Sequence, residues 1–189
     1  MTQDSLLLRR LRELILERSV TRGDFVLASG RRSSVYIDAR LTTMTGEGLV
    51  LIGTLGVERL AARGWAPRAV GGLTLGADPV AYAIAAAARS RGLPLDAFTV
   101  RTQPKTHGAA KRIEGCFVPG APVVIVEDVM TTGRSAQQAI AAVESEGGRV
   151  LGVLAVVDRE EGGRATLERA GHEVAALVTA TELGLRGGS

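Results

Sequence analysis

Val123-Val124-Ile125-Val126-Glu127-Asp128-Val129-Met130-Thr131-Thr132-Gly133-Arg134-Ser135 is the stretch on which the architecture turns. It opens with four β-branched residues in succession, preceded by Pro122. A short unbroken apolar run suits a strand covered on both faces, such as the central parallel strand of an α/β sheet. The spacing predicts that strand over 122–126. Beyond the turn, Ala136, Ala139, Ile140 and Val143 recur at helical spacing, and Gly147-Gly148 marks a stop. The stretch is thus a buried strand carrying two carboxylates at its carboxyl end, a hydroxyl-rich turn, and a helix start.

That order of parts has chemical content. Ligands of open α/β sheets sit outside the carboxyl ends of the strands. A turn that opens a helix offers unpaired backbone N–H groups, which favour a phosphate. Residues 129–135 (Val129, Met130, Thr131, Thr132, Gly133, Arg134 and Ser135) form this turn, and Thr131, Thr132 and Ser135 add hydroxyl donors. The carboxylates of Glu127 and Asp128 repel a phosphate and are better used to accept hydrogen bonds from sugar hydroxyls. An acid pair beside a phosphate cradle fits a phosphorylated sugar. A plain capped turn with two solvated acids is the bland alternative; the four apolar residues before the pair and the Thr-Thr-Gly after it weigh against that. No Gly-x-x-x-x-Gly-Lys-Ser/Thr loop occurs in the chain, and no Gly-x-Gly-x-x-Gly follows a predicted strand.

Working outward, a helix is predicted from Asp4 or Ser5, with Leu7, Leu11, Leu14 and Ile15 on one face. Phe25-Val26-Leu27 and Val35-Tyr36-Ile37 flank a Ser29-Gly30 turn and read as a small hairpin. Further helices are predicted over 47–63, 78–89 and 165–170, and further strands over 68–72, 97–101, 150–157 and 173–178. Residues 103–115 are polar, without an apolar period, and read as a loop. Strands alternating with helices from Arg68 onward imply an α/β fold: a doubly wound, mainly parallel sheet flanked by helices. The expected organisation is a single domain over 1–189, with an N-terminal helix and hood over 1–45 and the α/β core over 46–189.

The 189 residues suffice for one sizeable core. Only 3% are aromatic, so Val, Leu, Ile and Ala must build it. The formal charge is +3, but the basic residues are scattered and stacking platforms are few, which disfavours nucleic-acid binding. Cys116 is the lone cysteine, in keeping with a reducing cytoplasm. The leucines at 6–8 precede the arginines at 9, 10 and 12, the wrong order for a secretion signal. The most apolar segment, 70–88, is interrupted by Asp78, Pro79 and glycines, so no membrane span is expected. Lys105 and Lys111 are the only lysines among 23 basic residues, and both fall in the polar segment. A compact ammonium on a flexible stem suits a mobile lid.

The 123–135 stretch resembles the thirteen-residue signature of type I phosphoribosyltransferases: apolar strand, two acids, two variable residues, Thr, a small residue, Gly and a hydroxyl. Residues 25–33 with Tyr36 and Asp38 resemble the hood of the orotate phosphoribosyltransferases. Residues 101–108, running on to 113–115, resemble their mobile catalytic loop, taken here as about 102–115. With 71–79 and Asp158-Arg159, the likeness spans nearly the whole chain. The resemblance implies transfer of ribose 5-phosphate from phosphoribosyl diphosphate to orotate, giving orotidine 5'-monophosphate. It implies catalytic roles for Lys105, His107 and Asp128, and phosphoribosyl diphosphate binding by Arg101, Lys105, His107 and residues 127–135. Orotate recognition falls to Thr131, Arg159, Ser29 and Gly30. Mg2+ is expected as cofactor, held mainly by the substrate and by no dedicated protein site. A cytoplasmic homodimer with the loop shared between subunits is also implied. Some relatives carry lysine where this chain has Ala28, Gly76 and Thr102; backbone N–H groups around Thr74 to Ala77 are the expected substitutes. The competing readings are a phosphoribosyltransferase for another base and a non-catalytic regulator that binds phosphoribosyl diphosphate.

Overall fold

The computed structural model of the chain describes residues 3–26, 32–103 and 112–185. In chain order the elements are α1 (Gln3–Arg18), β1 (Val20–Val26), β2 (Arg32–Ile37), α2 (Arg40–Thr43), α3 (Gly46–Ala62), β3 (Ala69–Leu73), α4 (Ala77–Ser90), β4 (Asp96–Val100), β5 (Ile113–Gly115), β6 (Pro122–Met130), α5 (Arg134–Ser145), β7 (Arg149–Asp158), α6 (Gly163–Arg169) and β8 (Val174–Thr179).

The β-branched run lies inside a six-stranded sheet ordered β5-β4-β3-β6-β7-β8. Every pairing is parallel except that of the edge strand β5 with β4. Side chains alternate along a strand, so β6 feeds two cores. Val124 and Val126 join α1, α3 and α4 residues such as Leu11, Ile52, Val80 and Ile84. Val123 and Ile125 join Ala136, Ala139, Ile140 and Val143 of α5 and Leu167 of α6. Helices on both faces explain why β6 is a continuous apolar run rather than an alternating one. The doubly wound, mainly parallel architecture is therefore observed as the sequence predicts.

β1 and β2 form a separate antiparallel pair. Val35 and Ile37 of β2 and Leu11, Leu14 and Ile15 of α1 belong to the same core as Val124 and Leu154. The hood is thus anchored in the main core. α3 begins at Thr45, whose hydroxyl oxygen accepts the Gly48 N–H at 2.9 Å. It runs very close to α4: a Cβ on Gly53 would lie 2.5 Å from the Ala83 carbonyl oxygen, and one on Gly56 2.6 Å from Ile84. Among the described residues no helix is long and apolar enough to cross a membrane.

Three local features depart from the sequence pattern. β6 extends to Met130, so Glu127 and Asp128 lie within the strand rather than after it. The extension is held by β7, with which β6 pairs as far as Met130↔Asp158; such tertiary pairing leaves no hydropathy signal. Residues 113–115, expected as loop, form β5, whose single buried apolar side chain is Ile113. One residue cannot display a period. The short helix α2 is likewise absent from the pattern.

Candidate active site

β3 leads through α4 to β4 on one side of it, whereas β6 lies on its other side. The strand order reverses between β3 and β6, which is where open α/β sheets hold ligands. The β3–β6 ladder ends at Gly71↔Ile125, although β3 runs on to Leu73 and β6 to Met130. The two carboxyl ends therefore part. The cleft between them has a volume of about 250 Å³. Its walls are Tyr36 to Arg40 from the hood side, Leu73 to Ala77 after β3, Glu127 to Val129 of β6, and Ser135 of α5.

Both acids of the central stretch reach this cleft. Glu127 is buried, only 6% exposed, while Asp128 is half-buried and accepts the Val129 N–H at 2.8 Å. A Cβ on Gly76 would lie 2.5 Å from Asp128 Oδ1. Gly76 thus leaves room for this carboxylate, by space rather than by backbone conformation. Arg40 was missed in the sequence and is the one arginine lining the cleft among the described residues. Its guanidinium forks onto Asp38, Nε to Oδ1 at 2.8 Å and Nη2 to Oδ2 at 2.9 Å. That bond holds the Asp38 carboxyl below the usual aspartate range. An Asp-x-Arg pair just beyond a strand was the available signal.

Burial, with the Asp128 charge adding to it, pushes the Glu127 carboxyl up to about 8. Burial raises Asp128 also, against its backbone hydrogen bonds and the charge of Arg40. Below pH 4.5, the ordinary value, Glu127 is protonated in folded and unfolded chains alike and costs nothing. Between pH 4.5 and about 8 the unfolded chain ionises first, so it holds fewer protons and stability falls as pH rises. The slope from one such group is at most about 1.4 kcal/mol per pH unit. Urea unfolding of the ligand-free protein across this range is expected to show that decline, and Glu127→Gln to flatten it. An equal slope in the variant would refute the buried, uncompensated carboxylate.

The remaining expected site residues are placed as follows. Thr131 is half-buried, Thr132, Arg134 and Ser135 are exposed, and Gly133 is buried with φ +79° at the start of α5. No side chain caps that helix start. Val129 lines the cleft, whereas the Met130 side chain is buried in the core. Arg101 stands at the stem of the polar segment, its N–H donating to the Arg112 carbonyl at 2.9 Å, and does not line the cleft. Arg159 follows β7; its N–H donates to the Met130 carbonyl at 2.9 Å, beside the turn. Its guanidinium, 11% exposed, meets Glu161 at 2.7 Å. The buried Asp158 pairs instead with Arg164 at 3.0 Å, so Asp158 and Arg159 are not partners. Ser29, Gly30, Lys105 and His107 lie outside the described residues, as does Lys111.

The chain is 45% identical to orotate phosphoribosyltransferase of Aquifex aeolicus over 177 residues, 92% of this chain and 96% of that one. It belongs to the orotate phosphoribosyltransferase family. Among solved structures, orotate phosphoribosyltransferase of Mycobacterium tuberculosis in complex with Fe(III) dicitrate superposes with TM-score 0.84 at 44% identity, covering 95% of this chain and 99% of the other. The same enzyme in complex with 5-phospho-α-D-ribosyl 1-diphosphate gives TM-score 0.80 at 42% identity, with the same coverage. No family model matches the chain. In this orotate phosphoribosyltransferase family member, the acid pair, the 74–77 connection and the start of α5 thus converge on one cleft.

Proposed function

We infer that the chain is an orotate phosphoribosyltransferase, a glycosyltransferase-type enzyme that moves ribose 5-phosphate from phosphoribosyl diphosphate to orotate. The observation that carries this is identity of about 45% along nearly the full length of curated orotate phosphoribosyltransferases, together with the acid pair lying at the sheet's switch point. In the reaction the bond from C1 of the ribose to the diphosphate oxygen breaks, and a bond from the orotate ring nitrogen to C1 forms. The ring nitrogen gives up its proton, and diphosphate leaves with the bonding electrons.

The residue roles follow from charge. The sugar becomes cationic as the bond breaks, which Asp128 favours from the cleft wall. Ribose hydroxyls donate to Glu127 and Asp128, and those bonds favour the ionised carboxylates that burial holds back. The 5-phosphate takes the N–H groups and hydroxyls of the 131–135 turn and α5 start, where no side chain competes as a cap. Diphosphate charge is met by Arg101, Lys105 and His107 and by backbone N–H groups of 75–77, the Thr74 N–H being taken by the Val100 carbonyl at 2.8 Å. Arg159 and Thr131, with Ser29 and Gly30, hold orotate; a guanidinium matches its carboxylate.

Mg2+ fits as an ion carried by the substrate. Glu127 and Asp128, in the cleft wall, are suited to hydroxyls or water around such an ion. Its chemistry is to neutralise charge gathering on diphosphate. The proposed working unit is the single domain 1–189, hood included, because hood and core share one apolar cluster. A homodimer, with the loop serving the neighbouring site, suits the apolar face of α3 and α4, where Val50 and Tyr82 are exposed. Sedimentation as a monomer would oppose it. A cytoplasmic setting accords with the lone, exposed Cys116.

The test is base consumption with phosphoribosyl diphosphate and Mg2+. Orotate is expected to be converted, with hypoxanthine, adenine and uracil left unchanged. Turnover of one of those bases instead of orotate would reassign the base, and binding of phosphoribosyl diphosphate without turnover of any base would indicate the regulatory reading.

A further inference from the structure

Asp78 lies in the first turn of α4, is 9% exposed, and does not line the cleft. Its two carboxylate oxygens are used in different directions. Thr74 Oγ1 donates to Oδ2 at 2.7 Å, and Thr99 Oγ1 donates to Oδ1 at 2.8 Å. Thr74 belongs to the β3–α4 connection that walls the cleft, and Thr99 to β4, two residues before Arg101 at the stem of the polar segment. The Thr99 proton is committed to Asp78, so Tyr82 Oη, 3.0 Å away, must donate to Thr99 Oγ1. The result is one ordered chain of donors ending on a single carboxylate.

A carboxylate directly behind a connection that meets an anion is electrostatically unfavourable unless it holds something in place. The Thr74 hydroxyl has one proton and gives it to Asp78, so that hydroxyl cannot donate to a ligand as well. Its contribution is to fix the backbone. The Asp78 N–H also closes the turn onto the Leu75 carbonyl at 3.3 Å. From this geometry we propose that Asp78 is a positioning residue: it locks the 74–77 connection to β4, to whose Val100 carbonyl the Thr74 N–H also donates at 2.8 Å, so that the backbone N–H groups of Leu75, Gly76 and Ala77 are aimed at diphosphate before substrate arrives. The proposal rests on the reading that this connection meets the diphosphate of phosphoribosyl diphosphate. Preorganised donors bind without a further ordering cost, so loss of the lock appears in affinity for that substrate and not for orotate.

The experiment titrates phosphoribosyl diphosphate into the intact protein and its variants, and measures KM for orotate at saturating phosphoribosyl diphosphate. Asp78→Ala is expected to weaken phosphoribosyl diphosphate binding by about tenfold, the effect of losing a hydrogen bond to a charged group. KM for orotate should stay near the parent value, and Asp78→Asn should recover part of the loss, since its amide oxygen still accepts one hydroxyl. Thr74→Val removes one bond while Thr99 still serves Asp78; it keeps the test open if Asp78→Ala folds poorly, and should reproduce most of the loss. Unchanged or tighter binding in Asp78→Ala or Thr74→Val would overturn the proposal. So would a parallel loss for both substrates in step with a lowered Tm, the mark of a purely structural role. If the parent protein binds orotate or a nucleotide but no phosphoribosyl diphosphate, the functional reading itself fails and the proposal with it.

Discussion

Replacing Asp128 with asparagine is expected to lower kcat by roughly a hundredfold or more while leaving the folded protein as stable as the parent, or more stable. The two effects share one cause. Asp128 is held half-buried in the cleft, and burial disfavours its charge. Asparagine has nearly the same shape and carries no charge, so the desolvation cost disappears and native stability is maintained or gains. The same charge is what favours the cationic sugar as diphosphate departs. Loss of one preorganised electrostatic partner of a transition state costs about 10²–10³ in kcat. Steady-state kinetics paired with urea unfolding checks both signs. A variant that is active but unstable would place Asp128 among structural groups; one both active and stable would remove it from the chemistry.

Arg159→Ala is expected to raise KM for orotate by about a hundredfold, with affinity for phosphoribosyl diphosphate little changed. A bidentate guanidinium–carboxylate contact consists of charge-assisted hydrogen bonds worth about 1.5–3 kcal/mol each, and about 2.8 kcal/mol is a hundredfold. The variant also removes the cation facing Glu161, which is 17% exposed, so some stability is lost with it. Arg159→Lys separates these effects. It keeps a positive charge near Glu161 but loses the planar fork, so orotate binding should remain weakened by about tenfold with stability largely restored. Equal KM for orotate in the parent and both variants would place base recognition elsewhere in the cleft.

The architecture was legible because its central strands are nearly all apolar. The runs 123–126 and 153–157 are buried from both faces, and no turn or surface strand tolerates such composition. The position of the acid pair toward the carboxyl end of the sheet followed from its place after the first of these runs, whereas its lying at the switch point depends on a strand order that only the structure shows. What stayed hidden depends on partners distant in sequence. β6 continues through Glu127 and Asp128 because β7 pairs with it. Arg40 looks like half of a surface ion pair until the hood folds it against the cleft. Asp78 reads as a flaw in an apolar segment, since its donors Thr74 and Thr99 lie in different elements. The Glu161 partner of Arg159 was equally invisible, because two residues apart on a chain implies no contact in itself.

A crystal structure of this chain with phosphoribosyl diphosphate bound bears most directly on the central claim, that the parted carboxyl ends of β3 and β6 grip an activated sugar phosphate. Ribose hydroxyls should lie within hydrogen-bonding distance of the Glu127 and Asp128 carboxylates, with the 5-phosphate on the backbone N–H groups of 131–135. Electron density for the sugar elsewhere on the protein, with the 127–135 segment making no contact to it, would contradict the account.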